Sequence, residues 1–206
     1  MKKLVIINAG NFGREVYSWA VHSGMDIKGF LSNNDTVLKD YPNYPPILGS
    51  VETYQPEQND IFVCAIGNPK VKKELCSIME LKGGQFCNLI HRSAVIGCNV
   101  KFGKGIIVCP NCVISSDAII EDFVTLNIGC SIGHDVKIGK YTQLSAQVNI
   151  AGHVTVGEEV MINSNVCIVP SVTIGNSTTL GAGSVVLKDV KENETVFGNP
   201  ARVISK

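Results

Sequence analysis

From Ile96 to Val186 an apolar residue stands at every sixth position: Ile96, Phe102, Val108, Ile114, Ile120, Leu126, Ile132, Ile138, Leu144, Ile150, Val156, Ile162, Ile168, Ile174, Leu180 and Val186. A helix needs apolar residues three and four apart and a strand needs them two apart, so six alone is neither period. With roughly one residue in two apolar, chance fills sixteen such positions about once in sixty thousand trials. A second register lies two residues before each anchor and is small or β-branched, as at Val100, Cys112, Val136 and Val160. Two inward residues separated by one outward residue make a short strand, because side chains alternate faces. A corner then completes six residues. Three such sides close a coil of eighteen, and coils stack about 4.8 Å apart through backbone hydrogen bonds. The pattern predicts about five coils of a parallel β-helix, with the Gly that often follows an anchor (Gly97, Gly133, Gly157) turning the corner. A sandwich of short strands would not keep this phase for ninety residues.

The first ninety residues follow another plan. KLVII, Lys3 to Ile7, reads as a strand running into a Gly-rich turn, and GREVYSWAVHSG as a helix ended by Gly24. IKGFL and DIFVCAIG read as two more strands, and a helix follows from about Pro69 to Lys82, with Pro at its start. Alternating strands and helices predict a small Rossmann-like parallel α/β domain. The Pro-rich segment TVLKDYPNYPPILGS reads as irregular. The boundaries are set at 1–88 for this domain and 89–206 for the solenoid.

The chain is 45% apolar and 17% charged, with 18 basic and 18 acidic residues, which points to a globular protein and away from nucleic acid and anionic membranes. It has no long apolar span, and Met1-Lys2-Lys3 runs directly into a strand, so a cytoplasmic location is expected. The eight cysteines then read as reduced thiols used as small apolar fillers. Cys109 and Cys112 spell C-x-x-C, but they belong to different faces of a coil and no second pair exists for a zinc site. No metal is expected, because His134 and His153 are the only histidines in the repeats past the first coil.

Asn8-x-Gly10-x-x-Gly13 between strand and helix is a degraded dinucleotide fingerprint. A helix N-terminus after such a turn offers N–H groups and a positive dipole to phosphate, at the carboxyl ends of parallel strands where ligands bind. A tight strand–helix turn with no ligand is the competing reading. Of the four histidines, His22 reads as incidental on a surface helix and His91 as structural, while His134 and His153 lie at coil corners. Eighteen-residue arithmetic stacks Gly152 on His134 and His153 on Asp135, leaving room beside His134 and letting His153 modulate it.

The repeats, with the tail from Thr179 to Ile204 that contains Gly198-Asn199-Pro200-Ala201, resemble the bacterial hexapeptide transferases. That resemblance implies a left-handed β-helix and a homotrimer. AGNFGREV (Ala9–Val16), GFL (Gly29–Leu31), AIGNPKVKKEL (Ala65–Leu75), NLIHRSAVI (Asn88–Ile96) and the segment around His134 make the whole chain similar to a narrower group. These are the sialic-acid O-acetyltransferase-like and nucleotide-amino-sugar N-acetyltransferases. The resemblance implies acetyl-CoA as co-substrate and a nucleotide-activated amino sugar as acceptor, in lipopolysaccharide or O-antigen building. It carries the nucleotide contacts onto Gly10, Asn11 and Phe12, onto Ser32 and Asn33, and onto Gly67 and Asn68. Where relatives often have Asp-Asp, this chain has Ser32-Asn33, which leaves base and sugar open. IGHDVKIG matches the group's general-base histidine with its acidic partner, making His134 the base and Asp135 its tuning group. Cofactor contacts fall on Gln143, where some relatives have a second histidine, and on Gly152, Ser164 and Ala182. O-acetylation of a sialic-acid-type sugar is the close rival. An NAD(P)-dependent oxidoreductase and a non-catalytic nucleotide-sugar sensor are further alternatives, the former lacking a full Gly fingerprint and an acidic ribose partner.

Overall fold

The computed structural model describes residues 1–205. It opens with β1 (Lys3–Ile7), α1 (Asn11–His22), β2 (Ile27–Leu31), β3 (Ile47–Gly49), β4 (Asp60–Cys64), α2 (Pro69–Leu81) and β5 (Gln85–Phe86). These strands form one parallel sheet in the order β3-β2-β1-β4-β5. β1 sits at its centre and is fully buried from Leu4 to Ile7. The Pro-rich loop is less irregular than its composition implies. Ile47 pairs with Phe30, and the Pro46 carbonyl accepts from the Phe30 N–H, so the loop contributes an edge strand. Prolines mask this strand in the sequence, because they can sit at a strand's start without breaking its ladder.

The solenoid begins at Leu89–Ile90, one six-step before the first anchor read from the sequence. Three parallel walls follow. The open wall stacks Val95–Ile96, Val113–Ile114, Ser131–Ile132, Asn149–Ile150, Cys167–Ile168 and Val185–Val186. The lysine wall stacks Lys101–Phe102, Ile119–Ile120, Lys137–Ile138, Thr155–Val156 and Thr173–Ile174. The covered wall stacks Leu89–Ile90, Ile107–Val108, Thr125–Leu126, Gln143–Leu144, Met161–Ile162, Thr179–Leu180 and Thr195–Phe197, with Arg202–Ser205 added antiparallel. Rungs pair eighteen residues apart, as Ser131 with Asn149. The last coil is shorter: Leu180 pairs with Val196, and Ile174 bridges Val190.

The corners differ from the sequence reading. The residue three after each anchor, not the Gly directly after it, takes the left-handed conformation. From Asn99 to Gly183 there are fifteen such corners, and twelve are not Gly, including Phe123, Asp135, Tyr141 and His153. Each non-Gly residue there costs about 1–2 kcal/mol of local strain. The stack offsets it, because the corner N–H donates to the coil before: Asp135 to Ser116 O, Tyr141 to Asp122 O, and His153 to His134 O. Gly133 serves close approach instead. A Cβ there would stand 2.6 Å from the Gly152 nitrogen.

The α/β domain lies on the covered wall and hides its outward residues. Ile107, Cys109, Phe123 and Thr125 are all buried. Cys109 and Cys112 are thus both inaccessible, Cys109 beneath the α/β domain and Cys112 inside the coil with its thiol on the Asn127 carbonyl. Phe123 stacks on Tyr141, with centroids 5.0 Å apart and planes at 7°, and meets Phe86 edge-on at 4.9 Å. Lys72 from α2 completes the junction. Its ammonium is fully buried and donates to Phe123 O (3.3 Å), Thr125 Oγ1 (3.0 Å) and Gln143 Oε1 (2.9 Å). Burial lowers its pKa to about 8, against the pull of the Cys64, Cys76 and Cys109 sulfurs nearby.

Candidate active site

His134 leaves the open wall at the corner leading to the lysine wall, two residues after the buried anchor Ile132. Its Nδ1 is 2.8 Å from Asp135 Oδ2. As Nδ1–H donates to the carboxylate, the tautomer is set and Nε2 carries the lone pair. That nitrogen faces the backbone of Gly152 on the next coil. A Cβ on Gly152 would stand 2.6 Å from Nε2 and 2.7 Å from Cε1, so only Gly leaves the ring its place. The hydrogen bond from His134, with the charge of His153 beyond it, holds the Asp135 carboxyl below its usual range. His153 Nδ1 stands 3.8 Å from the same oxygen, and the two rings meet edge-to-face with centroids 4.8 Å apart. All three side chains are open to solvent, at 60%, 48% and 59% exposure in chain order. The cluster is therefore a base with a fixed tautomer, an ionised partner, and an accessible lone pair. It can take a proton from an incoming nucleophile.

The predicted nucleotide contacts gather at the carboxyl ends of β1, β2 and β4. Asn8 takes the place of the first Gly with φ of 91°, and its side chain is doubly tied: Nδ2 donates to Ala65 O, and Oδ1 accepts from Gly10 N. A Cβ on Gly13 would collide with the Asn8 carbonyl, which fixes Gly at that turn. No side chain caps the N-terminus of α1, which carries Asn11 and Phe12. Ser32 and Asn33 line a cleft of about 160 Å³ with Asn8 and Ile66. Gly67 lies beside it, and Asn68 caps α2 by accepting from Val71 N. Phe12 is half-buried and packs edge-on to Trp19, which makes its ring part of the domain core.

Gln143 departs from its expected place. It is 3% exposed, its Oε1 accepts from Lys72 and its Nε2 donates to the Leu144 carbonyl. Both ends of the amide are engaged on the covered wall, so the side chain ties the two domains and does not face the His134 corner. Lys72 went unread because its partners are more than fifty residues away in sequence. Ser164 and Ala182 stand at the corner where the covered wall passes to the open wall. That edge and the His134 edge border the open wall on its two sides. His91 is 8% exposed, with Nδ1 on Ser93 Oγ and no partner among the described residues for its buried Nε2. Burial lowers its pKa, with the charges of His22 and Arg92 adding to the effect.

Comparison with known proteins finds relatives of both parts of the chain. The family model described as "PglD N-terminal domain" matches residues 3–79, and that described as "Bacterial transferase hexapeptide (six repeats)" matches residues 153–188. PerB of Caulobacter crescentus, solved in complex with CoA and GDP-perosamine, is 28% identical with a TM-score of 0.92, the match covering 100% of this chain and 98% of that one. The acetyltransferase domain of PglB from Neisseria gonorrhoeae is 26% identical with a TM-score of 0.91, covering 99% and 100%. An uncharacterised protein of Acanthamoeba polyphaga mimivirus is 26% identical over 118 residues, which are 57% of this chain and 23% of the viral protein. This chain thus spans about a quarter of that curated relative.

Proposed function

We propose that this chain, which matches a PglD N-terminal domain and a hexapeptide-repeat transferase model in turn, acetylates the amino group of a nucleotide-linked amino-deoxysugar, of the 4-amino-4,6-dideoxy type, using acetyl-CoA. The observation that carries this reading is the lone pair of His134 Nε2, fixed by Asp135 and exposed above Gly152. The neutral amine attacks the thioester carbonyl carbon and His134 takes the amine proton. As the tetrahedral intermediate collapses, the C–S bond breaks and the proton passes from His134 to the departing CoA sulfur. Asp135 stabilises the imidazolium between these events. No acyl-enzyme is formed, and a base in this role contributes about 10²–10⁴ in rate.

Gly10, Asn11, Phe12, Ser32, Asn33, Gly67 and Asn68 hold the nucleotide, with the diphosphate at the uncapped start of α1. The pantetheine runs past Gly152 on one subunit and past Ser164 and Ala182 on a neighbour. Support comes from the open wall, which carries no charge on its outward rungs (Val95, Val113, Ser131, Asn149, Cys167, Val185) and lies between those two edges. The lysine wall carries Lys101 and Lys137, and the α/β domain hides the covered wall. The open wall is therefore the face of a homotrimer. We place the enzyme in the cytoplasm, in the building of a surface glycan such as lipopolysaccharide O-antigen. Among the described residues, no helix is long and apolar enough to cross a membrane.

The test measures CoA release with UDP-, dTDP-, GDP- and CMP-linked 4-amino sugars and with matching sugars bearing a hydroxyl in place of the amine. Turnover of the amines alone is expected. Equal or faster turnover of hydroxyl acceptors would replace N-acetylation by O-acetylation of a sialic-acid-type sugar.

A further inference from the structure

Two histidines from successive coils share one carboxylate. His134 Nδ1 and His153 Nδ1 lie 2.8 and 3.8 Å from Asp135 Oδ2, and one donor atom from each residue lies within 4.8 Å of the others. A tetrahedral ion bonded to nitrogen and oxygen at about 2.0–2.2 Å keeps its ligand atoms roughly 3.3–3.5 Å apart. Two of the three separations bracket that spacing and the third lies within 4.8 Å, so a small inward turn of the exposed imidazoles, together with a shift of the carboxylate, would admit an ion. The frame is fixed, since Asp135 and His153 are left-handed corner residues with φ of 59° and 60°, each bonded to the coil before. The mouth is open, because each of the three side chains is about half exposed or more. Counting histidines alone stops at two ligands; the third is the aspartate they share.

We propose that His134, Asp135 and His153 form a binding site for a divalent transition-metal ion of the zinc or nickel class, and that the occupied site is catalytically silent. Two imidazoles and a carboxylate suit such ions and leave a fourth position for water. Magnesium and calcium, which require mostly oxygen ligands, are excluded. The silencing rests on the reading of His134 as the base; the binding does not. A neutral imidazole has one N–H and one lone pair. Coordination through Nδ1 needs that lone pair, so the ring proton moves from Nδ1 to Nε2, with no proton lost overall. Nε2 then carries a hydrogen and cannot accept one from the sugar amine. The metal thus competes with the tautomer that catalysis needs, and its removal restores it.

The experiment uses tag-free full-length protein with Cys98→Ser, which removes the exposed thiol. Nickel chloride is titrated calorimetrically, with magnesium chloride as control. One nickel ion per chain is expected, no heat from magnesium, and binding weakened by about tenfold or more in His153→Gln, since even an outer-shell change costs about 10–100-fold. CoA release is then followed at the lowest nickel concentration that saturates the parent, each variant against its own metal-free rate. The parent should lose its activity and regain it with EDTA, while His153→Gln keeps most of its own. Equal nickel affinity in the parent and His153→Gln, or no binding below millimolar nickel, overturns the site. Binding that depends on His153 but leaves acetyl transfer at its metal-free rate overturns the silencing; the role of His134 as base is then decided by the acetyl transfer of His134→Ala.

Discussion

At the scale of single residues, the candidate site depends on what is absent as much as on what is present. Gly152 has no side chain, and a methyl group there would occupy the space of His134 Nε2 and Cε1. Gly152→Ala is therefore expected to lower kcat/KM by about 100-fold, the scale of a base displaced by an ångström. Because His134 sits on an exposed corner, the melting temperature should move by only a few degrees; a collapse of the fold would refute this account of Gly152. Asp135→Asn tests the partner. Asn tolerates the left-handed corner that Asp135 occupies at φ 59°, so the fold is kept while the carboxylate is lost. The expected result is a fall in kcat of about 10–100-fold with an unchanged melting curve, given that general-base catalysis is worth about 10²–10⁴ in all. Much of this geometry was legible beforehand: a step of eighteen residues puts Gly152 beside His134 and His153 beside Asp135. Gln143 was not legible. Its resemblance to a cofactor-contacting position gives no hint of Lys72, whose approach depends on how α2 lies across the covered wall.

At the scale of elements, the six-step fixed the walls, because inward residues must be apolar wherever the coil closes. It could not fix the corners, where Phe, Tyr, Asp, Gln, His and Ser all take the left-handed form under the control of the stack. Nor could it show which wall the α/β domain covers, though outward Ile107 and Phe123 are hints in retrospect. Phe123→Ala removes the ring stacked between Tyr141 and Phe86 and should destabilise the protein by about 3 kcal/mol in urea unfolding, at the low end for a buried Phe. Lys72 gives the junction a pH dependence. Its pKa is lowered to about 8 in the folded protein, below the value of about 10.4 in an unfolded chain. Below pH 8 both states hold the proton and the fold carries a buried charge. Between pH 8 and 10.4 only the unfolded chain holds it, so the stability contributed at Lys72 rises with pH. Wild type should accordingly gain about 1–2 kcal/mol over Lys72→Met between pH 7.5 and 9.5, at about 1.4 kcal/mol per unit of the window. A constant difference across that range would contradict a depressed Lys72.

At the scale of the whole molecule, one wall is covered, one is charged and one is left open, and the open wall lies between the two edges assigned to the cofactor. Val95 and Val113 are 61% and 44% exposed on it. Val113→Lys should shift the mass in light scattering from that of the proposed trimer towards monomer and weaken CoA binding together with assembly; a trimer that survives intact would move the interface to another face. The resemblance implied three subunits, but the six-residue period is blind to them, since it specifies only what faces the inside of a coil. The proposed reaction depends on one nitrogen, His134 Nε2. Acetyl transfer by purified His134→Ala, measured as CoA release under saturating acceptor and compared with wild type at matched circular dichroism and mass, tests it most directly. The expected result is a loss of about 10²–10⁴ in kcat with the fold and assembly retained; a variant that transfers acetyl at the wild-type rate would contradict it.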